Sequence, residues 1–175
     1  MALFQNGIDV SRYQGNINWG RVAAAGKQFA IVRVGSGNSG GLYVDPYFLQ
    51  NVNGAKAAGL RVGAYYYTYA RTRAAVANEL TTFLNVMDGL QLEYPVFVDV
   101  EDSSLTSLGR AELTSLVQYA MDILYQRNLH AFFCCLDCSH IATRSSSDNN
   151  YIKFITHVLD LLYNLITIRR FLTRQ

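Results

Sequence analysis

Tyr94-Pro95-Val96-Phe97-Val98-Asp99-Val100-Glu101-Asp102 is the stretch on which the reading of this chain turns. Five apolar or aromatic residues run into an Asp-x-Glu pair. Side chains two apart on a β-strand share a face, so the carboxyl groups of Asp99 and Glu101 are expected to leave the strand end side by side. Like charges held that close resist joint ionisation, and one of the pair is expected to keep its proton near neutral pH. One acid beside one carboxylate is the equipment of a glycosidase. Acidic residues also follow strands as helix caps and solvated loop residues, so the pair needs its context.

That context is a repeating strand-helix pattern. Gly7-Ile8-Asp9-Val10 reads as a first short strand, and Phe29-Ala30-Ile31-Val32-Arg33-Val34 as a second, closed by the Gly/Ser-rich stretch from Gly35 to Gly41. A helix follows over Asp45 to Ala58, with Phe48, Val52 and Ala55 at helical spacing and Gly59 just past its end. Leu60 to Tyr67 is a third strand, Ala74 to Leu90 a helix with Val76, Leu80, Phe83 and Leu84 on one side, Pro95 to Val100 a fourth strand, and Leu108 to Gln126 the next helix. Strands recurring at roughly 30-residue intervals with helices between them imply crossovers and a parallel sheet. The expected fold class is α/β, a (β/α) barrel of TIM-like type. Active sites of such folds sit at the carboxyl ends of the strands, where Asp9, Asp99 and Glu101 all fall.

The bulk numbers agree with one folded unit. The chain has 175 residues, half of them hydrophobic and 16% charged, which speaks against wholesale disorder and for a sizeable core. A net charge of +2 is too small to argue for nucleic acid. The three cysteines at 134, 135 and 138 are odd in number and crowded, so they make no disulfide framework and point to a reducing compartment.

Several segments resemble glycoside hydrolase family 25, the Chalaropsis-type muramidases. Gly7-Ile-Asp-Val-Ser-Arg-Tyr-Gln-Gly15 followed by Ile17-Asn-Trp19 is similar to the family's opening, and Phe29 to Gly35 to its second strand. Asp45-x-x-Phe48-x-x-Asn51, Ala55 to Tyr67 and Pro95 to Glu101 are similar to the helix, strand and D-x-E strand that follow. The resemblance covers about residues 4–129. It implies cleavage of the β-1,4 bond between N-acetylmuramic acid and N-acetylglucosamine in bacterial peptidoglycan, with no cofactor. It implies Glu101 as general acid, Asp99 as the group that orients the substrate's 2-acetamido group or stabilises positive charge at the anomeric carbon, and Asp9 as a third member that helps hold Glu101 protonated. With no basic or apolar leader in Met1 to Gly7, the expectation is a protein that stays cytoplasmic until lysis or non-classical export delivers it to the wall.

Other positions admit two readings. Tyr65 and Tyr67 share a face of the third strand and Tyr13 follows the first; these rings either stack on sugars or fill the barrel interior. Arg33, a charge inside an apolar strand, either binds substrate, pairs with the acidic cluster or makes a structural ion pair. Trp19 is expected to anchor the first βα turn, and Asp102 to belong to the loop, facing away from Asp99 and Glu101.

After residue 130 the resemblance stops. Residues 131–175 read as a divergent or frameshifted tail, with a cysteine-rich segment, a polar run to Asn150 and an apolar helix-like stretch from Tyr151 to Leu172. The barrel is therefore expected to be incomplete after its fourth or fifth strand. Lys153, His157 and Asp160 argue against a membrane-spanning helix. Cys135-x-x-Cys138-x-His140, a single crowded cluster, is not expected to hold a metal.

Overall fold

The computed structural model describes residues 5–129 and 131–135. Its elements are β1 (Gly7–Val10), α1 (Trp19–Ala24), β2 (Phe29–Asn38), β3 (Gly41–Val44), α2 (Phe48–Ala57), β4 (Arg61–Tyr67), α3 (Arg73–Met87), β5 (Val96–Val100), α4 (Arg110–Gln126) and β6 (Ala131–Cys135), with 3-10 turns at Arg12–Gln14 and Ser103–Leu108. The parallel strands lie in the order β1-β2-β4-β5-β6, and β3 pairs antiparallel with the far half of β2.

Alternation along the strands sorts the side chains into two sets. Val10, Ala30, Val32, Val34, Val62, Ala64, Tyr66, Val96, Val98 and Val100 join Trp19, Phe48, Val52, Leu80, Phe83, Leu116 and Leu124 of the helices in the main core. Phe29, Ile31 and Phe97 form a separate small cluster on the other face, with Tyr65, Tyr94 and Phe132 against it. Each such side chain contributes about 1.5–3 kcal/mol by leaving water, which makes the helix-covered face the main source of stability. This mostly parallel sheet with helices packed along one face is the architecture of a (β/α) barrel. Among the described residues β1 and β6 do not pair with each other.

The four expected strands and three expected helices are present, with ends shifted by a few residues. Gly59, at φ 80°, closes α2 as expected, and Leu60 N–H turns back to the Ala55 carbonyl at 3.0 Å. Two differences matter. Gly35 to Asn38 is not a closing turn: it continues β2 and pairs with Gly41–Val44. Ala131–Cys135 forms a fifth parallel strand, running alongside Val96–Val100. The apolar stretch from Tyr151 and the Cys138/His140 cluster lie outside the described residues.

Candidate active site at the carboxyl ends of the strands

Register brings the acidic residues to one end of the sheet. Asp9 pairs with Ile31, Arg33 with Tyr65, Tyr65 with Phe97, and Tyr67 with Asp99. A bulge between Arg33 and Gly35 advances β2 by one residue, so that Ser36 then falls opposite Tyr67. Thr68 N–H donates to the Asp99 carbonyl at 2.9 Å, which ties the end of β4 to the residue bearing the first carboxyl. Asp99 is half-buried within β5, whereas Glu101 stands exposed immediately past its end.

Asp99 carries a strongly raised carboxyl within this cluster. Burial pushes it up to about 8, the charges of Glu101 and Asp9 push the same way, and Arg33 opposes them. Its Oδ1 is buried without a hydrogen-bond partner in the structure, so a protonated, neutral Asp99 is the form this environment tolerates. Asp9 is exposed at the end of β1, yet the protein around it still pushes its carboxyl upward, against its own backbone hydrogen bond.

Tyr65 lies at the centre of this field. Burial raises its phenol, Asp9 adds to the effect, Arg33 opposes it, and Asp99 and Asp45 contribute further. Its ring packs against the small cluster of Phe29, Ile31 and Phe97, so it is both interior packing and part of the site. Tyr67 is pushed up to about 12 by burial and then by Asp102, with smaller effects from Tyr69, Asp99 and Glu101. The Tyr67 and Tyr69 rings sit 5.1 Å apart. Asp102 belongs to the loop as expected, accepting from Ser104 N–H at 2.9 Å. Its charge adds to the upward push on the Tyr67 phenol.

Arg33 makes a buried structural ion pair: its Nη2 is 2.9 Å from Asp45 Oδ2, and its Nε donates to the same oxygen at 3.0 Å. Asp45 also accepts the backbone N–H of Arg12 at 2.8 Å and of Tyr47 at 2.9 Å. Tyr13 is exposed, with the Arg33 guanidinium over its ring at 4.9 Å. Trp19 is a packing anchor, buried against Gly54 of α2. The sequence alone assigns no site role to Asp45, Arg12, Tyr43, Tyr69 or Glu79. Glu79, on α3, is buried and accepts from Thr68 Oγ1 at 2.6 Å and Tyr69 N–H at 3.1 Å, holding the loop that carries Tyr69. No group of three or more His, Cys, Asp or Glu side chains suited to a metal occurs among the described residues.

The family model for glycosyl hydrolases family 25 matches residues 8–150, and the chain belongs to that family. The match continues past residue 129, where the resemblance legible in the sequence ends. Escherichia coli K12 YegX is 38% identical over 149 residues, covering 73% of this chain and 52% of YegX. The autolytic lysozyme of Clostridium acetobutylicum is 28% identical over 145 residues, covering 82% of this chain and 40% of that protein. The bacterial lysozyme from Streptomyces coelicolor superposes with a TM-score of 0.61 at 26% identity, over 74% of this chain and 62% of that one. The chain thus spans about half the length of the curated relatives it matches.

Proposed function

We propose that this chain is a peptidoglycan hydrolase that cleaves the β-1,4 bond between N-acetylmuramic acid and N-acetylglucosamine. The observation that carries the reading is the convergence of Asp9, Asp99 and Glu101 at one sheet end, with Asp99 held protonated to about pH 8. Glu101, the exposed member, passes a proton drawn from Asp99 to the departing glycosidic oxygen. Asp99, half-buried behind it, takes up negative charge as the proton leaves and faces the acetamido group or the positive charge growing at the anomeric carbon. Tyr65 and Tyr67 present their phenols to the sugar, Tyr13 offers an exposed ring, and Arg33 lends positive charge from its place on Asp45.

A second reading rests on the described strands, among which β1 and β6 do not pair: a remnant that holds glycan weakly without turning it over. Reducing ends released from purified peptidoglycan decide between the two. The first reading expects release by the unaltered chain, a loss of at least about 100-fold in Glu101→Gln, and a rate that falls above about pH 8 as Asp99 gives up its proton. Binding of strands with no release from either protein would leave the remnant standing.

A further inference from the structure

The turn after β1 carries a cation that the catalytic reading does not use. Arg12 is exposed, and its guanidinium carbon sits 5.2 Å from the ring centroids of both Tyr13 and Tyr43. Nη2 donates to the Tyr13 hydroxyl at 3.4 Å. Both rings are well exposed, Tyr13 at 72% and Tyr43 at 44%. The turn beneath is held firmly: Ser11 N–H donates to Gln14 Oε1 at 2.7 Å, Tyr13 N–H donates to Ser11 Oγ at 3.3 Å, and Arg12 N–H donates to Asp45 at 2.8 Å. Tyr43 is fixed from the other side by the pairing of β3 with β2 at Ser36.

Charge distinguishes Arg12 from its neighbour. Arg33, over the same Tyr13 ring, is neutralised by Asp45, whereas among the described residues no carboxylate pairs with the Arg12 guanidinium. Asp45 spends a carboxylate oxygen on the Arg12 backbone and leaves its side chain facing outward. A planar guanidinium between two aromatic faces, with donors to spare, suits a carboxylate attached to a ring whose C–H face can lie on tyrosine.

We propose that Arg12, Tyr13 and Tyr43 form a subsite for a carboxylate borne by an N-acetylhexosamine unit of the glycan strand. It rests on the reading that a glycan strand occupies this end of the sheet. The carboxylate is either the lactyl group of a muramic acid or one on the peptide it carries.

Isothermal titration calorimetry on the full chain tests this, with Glu101→Gln in both proteins to prevent cutting and Arg12→Gln in one. The probes are strands stripped of peptide with lactyl carboxylates intact, the same strands with those groups converted to methylamides, and strands with their peptides attached. The expected result is binding of the carboxylate strands about tenfold weaker in the Arg12→Gln protein, with methylamide strands bound equally by both. Arg12 dependence confined to peptide-bearing strands supports the subsite and assigns it to the peptide's carboxylate. Equal affinity of the Arg12 protein for all three probes, an unchanged affinity in Arg12→Gln, or no binding would each overturn it. The comparison of carboxylate with methylamide strands holds even if Arg12→Gln folds poorly. Absence of reducing-end release by the unaltered chain would sink the hydrolase reading separately, while the titration alone decides the role of Arg12.

Discussion

Arg33 approaches Asp45 with two nitrogens, Nε at 3.0 Å and Nη2 at 2.9 Å, and both converge on one oxygen, Oδ2. The other oxygen accepts Tyr47 N–H at 2.9 Å, so one buried carboxylate fastens β2, the turn after β1 and the approach to α2.

Removing only the cation should be costly. Arg33→Met leaves Asp45 buried with backbone donors but no countercharge, and is expected to lose about 3 kcal/mol of stability. Asp45→Asn leaves the buried Arg33 guanidinium without its countercharge and should lose a comparable amount. Urea unfolding midpoints at one pH compare the two; equal stability of Arg33→Met and the unaltered chain would contradict this account.

Asp99 makes stability depend on pH in a defined direction. Its pKa in the folded chain is raised from 3.8 to about 8, so between those values the folded state holds a proton that the unfolded state has released. The contribution is complete below about pH 4 and disappears as the pH rises to about 8. Asp99→Asn cannot ionise and should be the more stable protein at pH 8, by a few kcal/mol at most, with the advantage shrinking toward pH 4. Thermal midpoints of the two proteins across that range read the effect directly.

Gly37 lies so close to Glu79 that a methyl group on it would collide with the Glu79 carboxyl and crowd Tyr69 N at 2.8 Å. Gly37→Ala should therefore lose about 2 kcal/mol and loosen the Thr68-Glu79 hydrogen bond. Amide exchange is the sharper measurement, with faster exchange of Tyr69 N–H expected in the variant.

At Gly54 the methyl group of alanine would fall inside the Trp19 indole. Although alanine favours helix over glycine by about 1 kcal/mol, Gly54→Ala is expected to destabilise the chain because Trp19 must leave its seat. A raised melting temperature would show that α1 can shift without penalty.

The same contacts explain which features are legible in the sequence and which are not. Asp99 and Glu101 are legible because period-two alternation and βα spacing are local properties, and β5 and β4 form where that pattern predicts. The strand Gly35 to Asn38 is not legible, because glycine normally signals a turn. Here Gly35 is needed where the Tyr43 carbonyl comes close, and Gly37 where Glu79 does, and both neighbours arrive from distant elements. β6 is hidden by the unfamiliar composition around it, although Ala131 to Cys135 is an unbroken apolar run of strand length. Asp45 looks like the start of a helix; its bonds to Arg33 and Arg12 exist only after the sheet has formed. Without β3 in view, nothing in the sequence places Tyr43 beside Arg12.

The spatial order of the parallel strands repeats their order along the chain, and β3 folds back onto the strand just before it. Among the described residues every new strand therefore docks on one already synthesised, and no pairing waits for a distant segment to emerge. In kinetic language the sheet has low contact order for a parallel architecture. A ribosome releasing this chain can lay it down one crossover at a time, exposing a single growing edge at each stage.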